Sequence, residues 1–433
     1  MNLIFLILDR NFYIKKLKCN IKVLRVLSFD KYLSTIALYF YNVIYFNLVT
    51  VTGTNGKTSV VNFYNQINTI LNFKTLSVGS LGILGTNHYF KNKKFFFTSF
   101  PIFYLYKFLD KLFLYSYKYL SMEGSSHGLQ QCRIDNIYFD AAGFTNFSDE
   151  HLSYHKTIML YFLSKLKLFS NVLKEGSYSL LNTNTDKYIY IHYVSKVNNI
   201  RVISYGHKSR DIKIIYINEF NAKVNIFGKI FILYYFSFGK FQLFNILCSI
   251  GLFIVKTYNI KEIISSIKKI TFIRGRFELI MLMLYRIKIY IDYLHTPEAL
   301  YNILSNIRRI YKNDIYIIFG CGGERDTKKR ISMSEISSLI SRYVVITNDN
   351  PRMEKPSKII DQLLIYNGIE VKKRYKSIKY TMNSLIKSNI LIVSGKGHEK
   401  YQIIHNKKIF SSDLLFVKIY DFITVTKNRV YFC

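Results

Sequence analysis

A chain of 433 residues, half of them hydrophobic, has core material for roughly two or three domains. Its net charge of +34 comes from Lys scattered along the whole length among Ile, Asn, Tyr and Phe, and with only 4 Pro, 20 Gly and no Trp this reads as A/T-rich codon bias, not as a nucleic-acid surface. The five cysteines, at 19, 132, 248, 321 and 433, form no C-x-x-C pair and no dense framework, which excludes a disulfide-stapled scaffold and points to a reducing compartment.

Residues 1–48 alternate apolar and basic patches without a recognisable site and are expected to be a truncated N-terminal remnant and linker. The run at 1–8 is apolar but lacks a basic n-region and a small-residue cleavage site, which argues against a secretory signal and for a cytoplasmic protein. Residues 36–51 carry Asn42 and Asn47 and fall short of the roughly 20 apolar residues of a membrane span. They are read as a linker helix and a buried strand, with no membrane insertion. From 49 to 275, β-like runs at 75–78, 119–122, 141–145, 179–181 and 201–205 alternate with helical candidates, the pattern of a mostly parallel sheet between helices. Residues 212–235 turn strand-rich and Gly-punctuated, as hairpins at a sheet edge do. A second alternation places strands at 287–291, 315–319, 344–347 and 390–393 and helices at 297–311, 333–340 and 357–365. The fold class is therefore α/β: a central P-loop ATPase-like domain with a mostly parallel sheet over 49–275 and a C-terminal Rossmann-like α/β domain over 276–433.

Within this frame, all four prolines and about half of the glycines fall in or beside polar clusters, which marks those clusters for chemistry. The first is Gly53-Thr54-Asn55-Gly56-Lys57-Thr58-Ser59, after a β-prone run and before a helical one. Glycines let backbone amides approach phosphate, Lys57 adds a point charge, and the Thr58 hydroxyl suits Mg²⁺. Val51 stands where the general G-x-x-x-x-G-K-[ST] pattern has Gly, so an ordinary Gly-containing turn between strand and helix remains the alternative. Glu123, ahead of Gly124-Ser125-Ser126-His127, ends a strand, where a carboxylate can complete a Mg²⁺ shell or simply cap a Ser/Gly-rich loop. Thr145-Asn146 ends another strand, and 149–155, with His151 and His155, opens a helix expected to run through Lys165.

These clusters, in this order, resemble the Mur ligases of peptidoglycan synthesis, ATP-dependent amide-forming enzymes. The likeness continues through Gly275-Arg276-Phe277-Glu278, Asp292-Tyr293-Leu294-His295-Thr296-Pro297, 320–326, Asp349-Asn350-Pro351-Arg352 and Gly395-Lys396-Gly397-His398-Glu399, and covers roughly 33–415. The resemblance implies that Gly53 to Ser59, Asn146, Arg276 and Asp292 hold ATP. It gives Thr58 and Glu123 one Mg²⁺ and His151 a second, and matches Lys165 to a carbamylated lysine. Lys57, Lys165 and His151 are the implied catalytic set. Thr98, Ser99, Ser125, Gln131 and Arg133 fall at positions for a UDP-MurNAc-dipeptide, and Arg325, Asp349, Asn350, Pro351, Arg352, Gly395 and Glu399 at positions for meso-diaminopimelate. A monomer without nucleic-acid partners is expected. Departures are the short N-terminal region, Gly124 where a bulkier residue is usual, and Glu150 where Asp is usual. The alternatives are a folylpolyglutamate synthetase relative and a catalytically silent remnant that binds ATP or another protein.

Overall fold

The computed structural model describes residues 5–9, 22–26, 29–41, 47–85, 100–218, 221–235, 239–256, 259–281, 287–324, 327–386, 388–405 and 407–430. Its largest sheet has ten strands in the order Lys229–Tyr234, Asn221–Ile226, Ile212–Ile217, Arg201–Gly206, Tyr178–Asn182, Ala141–Phe144, Asn47–Thr52, Tyr119–Glu123, Thr75–Gly79, Gly82–Gly85. The interior pairs are parallel and both edges are antiparallel. Parallel strands are covered on both faces, which explains their continuous apolar runs. Helices Lys57–Ile70 and Lys240–Ile254 cover one face, around Val51, Phe63, Leu247 and Ile250. Ile102–Leu114 and Ile158–Lys167 cover the other, around Leu76, Leu109, Phe144 and Phe162.

Strand Asn47–Thr52 lies between Tyr119–Glu123 and Ala141–Phe144, so connections on its two sides leave in opposite directions. A crevice opens at its carboxyl end, the place where open parallel sheets bind ligands. A second sheet of six strands runs Glu278–Met281, Lys288–Asp292, Ile390–Ser394, Ile315–Phe319, Tyr343–Ile346, Ile369–Glu370, parallel apart from the first. Its carboxyl edge carries Asp292, Gly320, Asp349 and Gly395.

The α/β class, the parallel central sheet and the edge hairpins are found as the sequence implies. A helix Phe29–Phe40 precedes the buried strand Asn47–Thr52, and no helix among the described residues is long and apolar enough to cross a membrane. One expectation is corrected. The helix read from 149 through Lys165 is two pieces, Leu152–His155 and Ile158–Lys167. Lys156 takes a positive φ of 69°, and Thr157 restarts the helix as a cap, its side chain accepting from Leu160 N at 3.1 Å. Thr98, Ser99 and Arg325 lie outside the described residues.

The chain end is fixed by charge. Helix Asp413–Val430 docks through Asp413, whose two oxygens accept from Arg374 Nε at 2.9 Å and Nη2 at 2.8 Å, with both residues buried. Removing one partner leaves a buried charge, so Asp413→Ala is expected to cost about 3–5 kcal/mol in urea unfolding.

Candidate active site

The phosphate-binding loop is built by backbone conformation. Gly53 and Gly56 hold φ of 144° and 88°, and a Cβ on either would collide, with Thr145 Oγ1 and Asn245 Oδ1 respectively. Gly56 starts helix Lys57–Ile70 and so aims the first amides of the helix out of the loop. Neighbouring strand ends brace it. Asn55 N donates to Asn146 Oδ1 at 2.8 Å, Asn146 Nδ2 donates to Asn55 O at 3.1 Å, and Thr145 Oγ1 donates to Asn55 O at 2.6 Å. Thr54 Oγ1 lies 3.2 Å from Tyr161 OH.

Two lysines converge on this loop. Lys57 Nζ donates to Gly53 O and Thr54 O, and Lys165 Nζ donates to Gly53 O, each at 2.8 Å. Lys165 is 1% exposed and stands 4.5 Å from the Tyr161 ring centroid. Burial, then the Lys57 charge, holds its ammonium well below the ordinary lysine range. Burial likewise lowers Lys57, against the pull of Glu123 and Glu150.

The acidic groups sit around the lysines. Glu123, buried at its strand end, accepts from Ser80 N at 2.7 Å and Ser80 Oγ at 3.3 Å. Burial alone would raise the Glu150 carboxyl, but His295, His151 and Lys57 hold it well below the usual carboxylate range. His151 adopts a positive φ of 58° ahead of its helix, with Nε2 3.5 Å from Glu150 Oε2. Burial pushes its imidazole down to about 3, which keeps the ring neutral and its lone pair available. Among the described residues no three His, Cys, Asp or Glu side chains converge to hold a metal ion. The hydroxyl of Thr58 and the buried carboxylate of Glu123 are nonetheless the hard oxygen donors that Mg²⁺ takes, so this donor chemistry fits the ion.

The second domain closes the site. Arg276 Nη2 donates to Thr58 Oγ1 at 3.0 Å, and its guanidinium lies 4.7 Å from the Tyr293 ring centroid. Asn55 Nδ2 reaches Thr296 Oγ1 at 3.4 Å, and His295 Nε2 lies 2.6 Å from Glu150 Oε1. Between the domains runs a cleft of about 610 Å³, lined by Asn55, Thr58, Asn146, Arg276 and Asp292 among others. Burial lifts the Asp292 carboxyl to about 7, although Arg276 and the Phe277 amide oppose the rise.

On the far side of Tyr293 and His295 lies a smaller pocket, lined also by Gly320, Asp349, Asn350, Arg352 and Gly395. Asn350 Nδ2 donates to Glu399 Oε2 at 2.9 Å and Tyr293 OH to Glu399 Oε1 at 3.4 Å. Arg352, at φ 53°, donates from Nη1 to Gly323 O at 2.6 Å. Gly395 is needed because a Cβ there would meet Asp349 Oδ2 at 2.5 Å. Pro351 packs its carbonyl against Gly323. Ser125 caps the short helix Ser126–Gln130, accepting from Gly128 N at 3.0 Å, and Gln131 donates to Tyr154 OH at 3.2 Å. Arg133 lies just beyond, half-buried.

The sites thus gather as three groups: loop, lysines and carboxylates; the small pocket; and the Ser125 to Arg133 turn. Sequence reasoning gave no role to His295 or Tyr161, and noted Glu150 only as a departure. No sequence signal pairs Glu150 with His295, since the contact exists only when the domains meet.

A parallel sheet that ends in a phosphate loop, facing a second α/β sheet across a cleft, defines a nucleotide-dependent two-domain enzyme. Residues 51–253 match the Mur ligase middle domain and residues 275–397 the Mur ligase, glutamate ligase domain. The chain belongs to the Mur ligase family. It is 35% identical over 395 residues to the UDP-N-acetylmuramoyl-L-alanyl-D-glutamate–2,6-diaminopimelate ligase of Rickettsia prowazekii, covering 88% of this chain and 81% of that one. Its likeness to the ligase of the same name from Anaplasma marginale is 34% over 377 residues, covering 84% and 77%. Among solved structures, a ligase of that name superimposes with a TM-score of 0.63 at 23% identity over 91% of this chain and 82% of that one. MurF from Thermotoga maritima in complex with ADP gives 0.64 at 14%, covering 96% and 88%. The folylpolyglutamate synthase of Mycobacterium tuberculosis gives 0.68 at 12%, covering 85% and 92%. These structural likenesses establish the fold.

The raised Asp292 carboxyl has a definite consequence for stability. The fold favours its protonated form, so that contribution is complete below about pH 4, falls as pH rises and is gone above about 7. A rise from 3.8 to about 7 corresponds to about 4 kcal/mol. Asp292→Asn, neutral throughout, is expected to match the parent near pH 4 and to exceed it by up to that amount at pH 8 in urea unfolding.

Proposed function

We propose that this protein is a cytoplasmic, monomeric, ATP-dependent ligase that joins meso-diaminopimelate to UDP-N-acetylmuramoyl-L-alanyl-D-glutamate in peptidoglycan synthesis. The observation that carries the reading is the pairing of two sites across one cleft: a phosphate loop on one domain and, on the other, a polar pocket lined by Asp349, Asn350 and Arg352, with Glu399 bound to Asn350. The names of the relatives at 34–35% identity agree with it.

In this reading the loop amides, Lys57, Asn146 and Arg276 hold the ATP phosphates. Arg276 suits the task, because its buried Nε has no hydrogen-bond partner among the described residues. Mg²⁺ would be held by Thr58 and Glu123, with His151 and a carbamylated Lys165 for a second ion, and would neutralise phosphate charge. Lys165 supports this on chemical grounds. Burial beside Lys57 favours the neutral amine, the form that is nucleophilic towards CO₂, and carbamylation turns a misplaced cation into an anionic oxygen ligand.

The D-Glu side-chain carboxylate takes the γ-phosphoryl group to give an acyl phosphate, with Lys57 offsetting the charge that develops. The acceptor amine then attacks the carbonyl carbon, and phosphate leaves with the bonding electron pair. Ser125, Gln131 and Arg133, with Thr98 and Ser99, would hold the muramoyl dipeptide. Glu399 would take the distal ammonium of the acceptor, and Arg352, with Arg325, its distal carboxylate. A lysine acceptor lacks that carboxylate.

Phosphate release from ATP is therefore expected only with both the UDP-MurNAc-dipeptide and diaminopimelate present, and not with lysine in its place. A folded preparation with no such dependence would be the silent remnant instead. Lys57→Ala is expected to abolish turnover, by at least about 10³-fold. With carbon-13 bicarbonate, a carbamate resonance is expected from the parent and not from Lys165→Arg, which should also be inactive; its absence from both would remove the carbamylation reading.

A further inference from the structure

His295 occupies a position that neither the nucleotide site nor the acceptor pocket accounts for alone. It follows strand Lys288–Asp292 and lines the acceptor pocket together with Tyr293 and Asp349. Its Nδ1 lies 2.8 Å from Tyr293 O and its backbone carbonyl accepts from Lys329 Nζ at 3.0 Å, so the ring is fixed from within its own domain. Its Nε2 reaches across to the central domain, 2.6 Å from Glu150 Oε1. Glu150 is 7% exposed, and its other oxygen faces His151. A charge-assisted bond of this length to a buried carboxylate is short, directional and costly to break on one side only. Two other cross-domain bonds, Asn55 to Thr296 at 3.4 Å and Arg276 to Thr58 at 3.0 Å, are longer and touch the nucleotide side. The Glu150–His295 pair joins a residue lining the acceptor pocket to the wall of the phosphate loop.

We propose that His295, acting through Glu150, is a positioning residue that sets the distance between the acceptor pocket and the acyl phosphate. It does so without touching the reacting atoms. The length of residue 150 belongs to the device: an Asp side chain, one methylene shorter, would not span to Nε2 from the same backbone. The proposal rests on the ligase reading above and makes a claim that this reading does not. Formation of the acyl phosphate needs the nucleotide and the muramoyl dipeptide; capture needs the acceptor amine at the carbonyl carbon. If the bridge is cut, the intermediate still forms, but the amine is displaced and water competes for the same carbon. Attack by water forms a new C–O bond, expels the same phosphate and regenerates the D-Glu carboxylate without an amide. Displacements of about 1 Å at a reacting centre cost on the order of 100-fold in rate.

The experiment measures phosphate released and amide formed in the same reaction for the parent, His295→Gln, Glu150→Asp and the double variant. The parent should give one amide per phosphate. His295→Gln and Glu150→Asp should each release several phosphates per amide and lose roughly 10- to 100-fold in kcat/KM for diaminopimelate, with the KM for ATP changed less than about 3-fold. The double variant should be no worse than the poorer single one. A one-to-one ratio in both variants, with turnover either unchanged or lowered uniformly, would overturn the proposal, because a merely structural role lowers both products together. A parent with no acceptor-dependent phosphate release sinks the ligase reading instead. X-ray scattering with a non-hydrolysable ATP analogue then decides on the bridge: His295→Gln more expanded than the parent upholds the link, and equal compactness overturns it.

Discussion

Two lysine side chains directed at one carbonyl oxygen set the terms for the rest of this molecule. Lys57 and Lys165 both approach Gly53 O at 2.8 Å, and both are buried. Two ammonium groups that close in a desolvated site repel, and burial alone already disfavours each. Burial and the Lys57 charge lower the Lys165 ammonium, and Glu123 and Glu150 supply negative charge to Lys57. Those carboxylates are held in turn by Ser80 and by His295. The positive end of the site therefore organises its acidic shell, and through His295 it reaches the second domain.

The architecture makes that convergence possible. In both sheets the functional residues lie at the carboxyl ends of parallel strands: Gly53, Glu123 and Thr145 in one, Asp292, Gly320 and Gly395 in the other. Two such edges facing each other form the cleft. Arg276 begins the second domain and binds Thr58 in the first, so the segment that connects the domains also contributes to the site. Gly275 fits this tight crossing, since a Cβ there would strike the backbone of Gly397 and His398.

Much of this was legible in the sequence, for identifiable reasons. Parallel strands buried on both faces leave uninterrupted apolar runs, and in a chain poor in glycine the clusters at Gly53/Gly56 and Gly395/Gly397 stand out, while the role given to Glu399 came only from the resemblance. The edge hairpins announced themselves by alternation. The helix through Lys165 was misread because Lys156 and Thr157 break it by backbone conformation, and neither residue type is a strong breaker. The pairing of Glu150 with His295 was invisible, because it depends on how two distant parts of the chain meet and leaves no periodicity.

The excess of lysine also takes on a different meaning once the site is in view. Most of it is spread over solvent-facing positions, as expected for drift in composition, where a substitution costs within about 0.5 kcal/mol. The buried basic groups behave otherwise: Arg330 is bound by Glu354 and Gln362, Arg374 by Asp413, and Lys396 by Tyr401 O and Glu399. Lys165, 1% exposed, has no carboxylate at hydrogen-bond distance among the described residues and lies beside another lysine. A charge held at such cost next to a phosphate loop is not accounted for by packing. It is the position at which the proposed carbamylation would replace a cation with an anion.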